Sequence, residues 1–286
     1  MKKYAKILSL ALAVMLAVGL FAGCSQDGNT TSTAPSTEPT VSTEPNTSTE
    51  PSTEPTTSTE PTEEPTGGTL TMATEAGFPP YEYYEDNVII GIDAEIAAAI
   101  ANKLGMSLQI DDMEFDSTIT AVQTGKADIA MAGMTVTEER MKSVNFSDSY
   151  ATGIQVVVVA ENGSVASLDD LAGKSIGVQQ NTTGDIYATG DYGDENIQRF
   201  ARYADAVSAL STGKIDAIIM DNEPAKSFVA ANEGLKILDT EYAVEDYAIA
   251  IAKENTDLLD KVNAALKELT DDGTIPGIIA KYIPAE

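Results

Sequence analysis

The sequence predicts an α/β protein in two lobes, its parallel or mixed β-sheets covered by helices on both faces. Three observations predict this. From residue 69 onward, short apolar segments with strand character alternate with segments of helical period. A phrase, Thr124-Gly125-Lys126-Ala127-Asp128-Ile129-Ala130-Met131, returns in the other half as Thr212-Gly213-Lys214-Ile215-Asp216-Ala217-Ile218-Ile219-Met220. The stretch from about 69 to 286 is also long enough for one large domain or two small lobes.

In chain order, the first element is a leader. Lys2, Lys3 and Lys6 open it, and an apolar run from Ile7 to Phe21 follows, too short and too one-sidedly flanked for a good membrane span. It ends in Phe21-Ala22-Gly23-Cys24, which resembles the lipobox of bacterial lipoproteins, although Phe21 departs from the usual aliphatic residue. Residues 1–23 are therefore expected to be a lipoprotein signal peptide and Cys24 the lipidated mature N-terminus. The alternative is a plain signal peptide with an incidental cysteine. Because Cys24 is the only cysteine, an intrachain disulfide and a CxxC site are excluded.

Residues 24–68 are expected to form a disordered tether. Thr-Glu-Pro occurs five times, at Thr37, Thr43, Thr49, Thr53 and Thr59, and no aromatic residue interrupts the Ser/Thr-rich remainder. Such a segment has little to bury against the entropy of ordering it, and Pro and like charges keep it extended. A mucin-like glycosylated stalk is the other reading.

In the folded part, Gly67-Gly68 breaks from the tether and Thr69–Ala73 reads as a strand. Asp93 is expected to cap a helix with Ile96, Ile100 and Leu104 on one face and Gly105 at its end. Strands follow at Ser107–Ile110 and Ala127–Met131, with a short helix through Ile119 and Val122 between them. Gln155–Val159, Ser175–Val178 and Ala217–Met220 read as further strands, with a helix near Ala204–Leu210. The last helix has Leu258, Val262, Leu266 and Leu269 inside. Ligands of open α/β sheets bind beyond the carboxyl ends of the strands. The repeated phrase therefore points to two edges, Ala132–Thr135 after its first copy and Asp221 after its second.

Charge narrows the partners. Of 45 acidic and 17 basic residues, 37 and 14 lie after residue 68, so the folded part is strongly acidic. Nucleic acid is a poor partner for such a surface, and anionic substrates are repelled. Histidine is absent, and no metal site or cofactor is expected. Only three arginines exist, Arg140, Arg199 and Arg202.

Several motifs, in order, resemble the polar amino acid family of bacterial extracellular solute-binding proteins of ABC transporters. They are Glu75-Ala76-Gly77-Phe78-Pro79-Pro80-Tyr81-Glu82, Gly91-Ile92-Asp93-Ala94-Glu95-Ile96-Ala97 and Ala132-Gly133-Met134-Thr135-Val136-Thr137-Glu138-Glu139-Arg140. Asn145-Phe146-Ser147-Asp148, Gly177-Val178-Gln179-Gln180-Asn181-Thr182-Thr183-Gly184 and Asp272-Gly273-Thr274 continue the match over essentially all of 69–286. The resemblance implies a type II periplasmic-binding-protein-like fold, each lobe a mixed β-sheet flanked by helices. The first lobe would comprise 69–152 with 248–286 and the second 153–247. Two crossing strands near Tyr150–Ile154 and Ala243–Tyr247 would join them.

The same resemblance implies that Arg140 grips the α-carboxylate of a free amino acid, for which a guanidinium fork is suited. Thr137 would cap the helical turn that carries it. Backbone amides at Thr135 and around Thr182 and Thr183 would complete that anion site. Asp221 would accept the ammonium with the Gly133 carbonyl and the Thr135 hydroxyl, although a helix cap before Pro224 is a rival role for it. Met134 belongs to the same loop. Phe78, Phe115 and Tyr81 would wall the ligand side chain, or else belong to the core. Asn181 stands where relatives often have glycine, and asparagine tolerates left-handed backbone.

Glu75 and Gln179 would line the side-chain end of the pocket. A glutamate between two aromatic rings suits a basic ligand. Glutamine is the next reading, because Glu75 can bond an amide or be neutralised by a neighbour. The expected protein is a monomer without enzymatic activity, lipid-anchored through Cys24 outside the cytoplasmic membrane. It would deliver its ligand to an ABC permease with its ATPase. A sensor presenting ligand to a receptor is the first alternative, and a cleft enzyme working through paired carboxylates is the second.

Overall fold

A computed structural model describes residues 67–240 and 242–284. The leader, Cys24 and the tether up to residue 66 lie outside the described residues. The chain runs β1 (Thr69–Thr74), β2 (Gly77–Phe78), β3 (Glu82–Glu85), β4 (Val88–Ile90), α1 (Ile92–Lys103), β5 (Ser107–Asp112), α2 (Phe115–Gln123), β6 (Ile129–Ala130), α3 (Arg140–Ser143) and β7 (Val144–Ala160). It continues with β8 (Ile176–Gln179), α4 (Thr183–Tyr192), β9 (Ile197–Phe200), α5 (Tyr203–Ser211), β10 (Ala217–Asp221), α6 (Asn222–Ala231), β11 (Leu235–Ile237), β12 (Ala243–Ala252), α7 (Thr256–Asp271) and α8 (Thr274–Tyr282).

One mixed sheet has the order β5-β1-β6-β12-β7-β10-β8-β9, with β11 also on β7. The outer strands of each lobe are parallel: β1 lies beside β5 and β6, and β8 beside β9 and β10. Strands β7 and β12 are antiparallel and pass between the lobes, pairing Gln155 with Ala243 through Ala151 with Tyr247. The far end of β12 pairs with β6 in the first lobe, and the far end of β7 with β10 in the second. A three-stranded sheet, β2-β3-β4, stands beside the first lobe.

The repeated phrase folds the same way twice. Gly125 and Gly213 have φ of +69° and +70°, the left-handed backbone that ends a helix. Lys126 N–H returns to Ala121 O and Lys214 N–H to Ala209 O, both at 2.9 Å. The aspartate two residues later then clips a neighbouring segment: Asp128 accepts from Thr71 N–H and Oγ1, and Asp216 from Ser175 N–H. The Ala127 amide still bonds back to Ala121 in the turn, and the strand expected at 127–131 shortens to Ile129–Ala130, with Asp128 and Met131 N–H on either side also bonding to Thr71 O and Ala73 O of β1.

Helix α1 departs from expectation at its start. It begins at Ile92, and Asp93 is not its cap but a fully buried residue of the first turn. The carbonyls of Pro80 and Tyr81 accept the Ile92 and Asp93 amides, so the helix end is satisfied by backbone. Asp93 is thereby free to accept Gly133 N–H at 3.0 Å and Tyr150 O–H at 2.8 Å, fixing the loop after β6. Helix α7 buries Val262, Ala265, Leu266 and Leu269, with Leu258 half-buried at its start, but it is not the last helix as expected: Gly273, at φ +85°, ends it and α8 follows.

Candidate functional site

The carboxyl ends of two parallel strand pairs, β1 with β6 and β8 with β10, meet over one cavity. Glu75 follows β1, Gly133 and Thr135 follow β6, Gln179 ends β8 and Asp221 ends β10. Phe78 on β2, Phe115 opening α2, Arg140 opening α3, and Thr182 and Thr183 at the amino end of α4 complete the expected lining, and Glu82 and Ala132 join it. About 300 Å³ of space not filled by atoms, open solvent included, lies among these side chains.

Two expected site residues stand apart from the lining. Met134 is fully buried in the packing of the first lobe, and its carbonyl accepts Ala248 N–H. Tyr81 is buried behind the cavity, where its ring meets Tyr247 edge-on at 5.2 Å. There it lines a separate recess on the other side of Asp221.

Among the described residues, Arg140 is the one basic residue that lines the cavity. Thr137 Oγ1 accepts its N–H at 3.1 Å, which sets the turn. The guanidinium donates to Thr135 O at 2.8 Å and, across the lobes, to Asn181 O at 3.1 Å. It also stands 5.2 Å over the Phe115 ring. Asn181 adopts φ +62°, the left-handed backbone that asparagine tolerates. Burial holds the Arg140 pKa below its ordinary value, and Glu245 and Asp221 oppose that.

Asp221 precedes α6 but makes no side-chain cap bond; its carboxylate accepts the Tyr247 hydroxyl from β12 instead. Burial and then Glu245 raise it to about 7. Glu75 is likewise pushed up to about 7 by burial, against Gln179 and Arg202. Gln179 Nε2 donates to Glu75 at 3.1 Å and to Ala201 O at 2.9 Å. Burial, and then Asp93 beside it, push the Glu82 carboxyl well above its ordinary value.

Sequence reasoning missed Glu245, Arg202 and Glu82 as contributors. Glu245 Oε2 gathers Thr135 Oγ1 and Thr183 Oγ1 at 3.0 Å and Gln155 Nε2 at 3.1 Å, so one carboxylate on a crossing strand ties both lobes. It occupies an inward position of β12, where an apolar residue is the rule, but nothing in the local sequence signals this, because its neighbour Val244 is the exposed one.

Residues 70–285 match the family described as bacterial extracellular solute-binding proteins, family 3. The arginine-binding extracellular protein ArtP of Bacillus subtilis is 36% identical over 224 residues, covering 76% of this chain and 87% of that protein. An ancestral arginine-binding protein bound to glutamine is 40% identical, with a TM-score of 0.73 over 76% of this chain and 98% of its own. An ancestral arginine-binding protein bound to arginine is 41% identical, with a TM-score of 0.71 over 75% and 98%.

Proposed function

Given that the chain belongs to family 3 of the bacterial extracellular solute-binding proteins, we propose that it captures a free polar L-amino acid between its lobes, a basic one first, and delivers it to an ABC permease and its ATPase. The observation that carries this reading is the lining of one small cavity by a buried arginine from one lobe and a buried aspartate from the other. A zwitterion needs both charges. Arg140 receives the α-carboxylate with the amino end of α4, where helix N-termini favour anions. Asp221 receives the ammonium with the Gly133 carbonyl and the Thr135 hydroxyl. The side chain then runs between Phe78 and Phe115 toward Glu75 and Gln179. An acidic end between aromatic faces favours arginine or lysine.

The lobes, 69–152 with 248–286 and 153–247, close on the ligand by a hinge at the crossing strands. Cys24 carries the lipid anchor, and residues 25–68 space the monomeric binding domain from the membrane. One observation favours a second ligand: Arg202 and Gln179 already engage Glu75, which suits the amide of glutamine.

Thermal unfolding against each of the twenty amino acids tests this reading. Ligand at a thousand times its dissociation constant stabilises by about 4 kcal/mol, roughly 8–16 °C for a domain of this size. Arginine or lysine is expected to give the largest shift. A shift with no amino acid would sink the proposal.

A further inference from the structure

Behind the side-chain end of the cavity stands a cation that belongs to the protein, paired with the lining residue Glu75. Arg202 stands at the amino-cap position of α5, in the second lobe, and reaches into the first. Its Nη1 lies 2.6 Å from Glu75 Oε1, and its Nη2 lies 3.1 and 3.2 Å from the two Asp112 carboxylate oxygens. Its Nε is 3.8 Å from Glu114. These three acids come from different segments of the first lobe: the residue after β1, the end of β5 and the cap of α2. The next residue, Tyr203, is fully buried and stacks on Phe78 at 6.1 Å between ring centroids. Arg202 and Tyr203 together therefore close the end of the cavity that Phe78 and Glu75 line. By contrast, Arg199 pairs with Asp185 and Asp194 within its own lobe.

From this geometry we infer that Arg202 is a specificity-determining residue, a built-in counter-ion of Glu75 that restrains the preference of the cavity for cationic over neutral side chains. The inference rests on the reading of the cavity as an amino acid site. The Glu75 side chain is 2% exposed, so its charge must be met by a partner inside the protein or by the ligand. Gln179 offers a neutral donor, and Arg202 offers the charge. A ligand guanidinium or ammonium arriving at Glu75 meets that positive charge and shares the carboxylate with it. A ligand amide needs only one of the two oxygens and no charge. Removing the Arg202 charge turns the cationic ligand into the missing counter-ion, while a neutral ligand gains nothing comparable.

The test is calorimetric titration of the full chain with L-arginine and with L-glutamine at pH 8.5, where Glu75 is ionised, in wild type, Arg202→Met and Arg202→Lys. The measured quantity is the ratio of the two affinities, because weaker lobe closure lowers both alike and leaves the ratio unmoved. Arg202→Met is expected to raise the arginine-to-glutamine ratio at least tenfold, and Arg202→Lys to return it to within about threefold of wild type. Arg202→Gln, neutral but still polar, serves as the second variant if the methionine variant does not fold, and it is expected to move the ratio the same way. Wild-type binding with a ratio that Arg202→Met leaves unmoved, or lowers, overturns the role of Arg202 and leaves the amino acid site standing. No wild-type binding of either amino acid overturns the site, and this inference with it.

Discussion

Arg140→Met is the substitution that most sharply separates a ligand clamp from a structural cation. The methionine keeps much of the apolar stem beside Phe115 but removes the guanidinium, the one cation lining the cavity among the described residues. A bidentate carboxylate loses two charge-assisted hydrogen bonds, each contributing about 1.5–3 kcal/mol. The expected loss is therefore about 3–6 kcal/mol, or roughly 10²- to 10⁴-fold in affinity. The structure also predicts what happens to the fold. Thr135 O and Asn181 O lose their donor, and Glu245 and Asp221 lose a nearby positive charge. The ligand-free protein should thus lose about 2–4 kcal/mol of stability and remain folded. Calorimetric titration with the amino acid that binds wild type most tightly gives the first quantity, and chemical denaturation gives the second. An affinity loss below tenfold in a folded variant would refute the assignment of the carboxylate to Arg140.

Asp221→Asn removes the acceptor of the ammonium charge while keeping an oxygen for Tyr247, so amino acid affinity should fall at least a hundredfold by titration with little loss of unfolding temperature. The pH trends of stability and binding should oppose each other. Burial raises Glu75 from 4.5 and Asp221 from 3.8 to about 7, so the stability these acids contribute is complete below their ordinary range and lost as pH rises through 7. For Glu75 that loss amounts to about 3 kcal/mol. The ligand-free protein should therefore denature more easily at pH 8 than at pH 5.5, whereas binding, which needs ionised Asp221, should strengthen over the same interval. Parallel trends would contradict the assignment. At Gly133, φ is +51° and a Cβ would come within 2.6 Å of the Phe78 ring. Gly133→Ala should accordingly lower stability by about 1–3 kcal/mol and weaken binding together, measured by denaturation and titration.

Much of the fold was legible because its local signals agree. The two Thr-Gly-Lys turns place a glycine where left-handed backbone is required, and an aspartate where a neighbouring segment needs an acceptor. Both predicted edges, after β6 and after β10, open on the cavity. What sequence could not show was how polar residues are shared out in three dimensions. Asp93 looks like a cap from its position, yet backbone carbonyls from Pro80 and Tyr81 relieve it of that task and leave it to hold Gly133. Asp221 looks like either a cap or a ligand contact, and only the approach of Tyr247 from a distant strand shows where its carboxylate points. Met134 and Tyr81 share motifs with lining residues but face the packed side of their segments. Glu245 and Arg202 act through partners far away in sequence, at separations that no local pattern encodes.

The most direct test of the account is a crystal structure of the protein grown with L-arginine. The ligand is expected between the lobes, its carboxylate in bidentate contact with Arg140, its ammonium at Asp221 and its side chain between Phe78 and Phe115 toward Glu75. A ligand bound outside this cavity, or bound within it with its carboxylate away from Arg140, would contradict it.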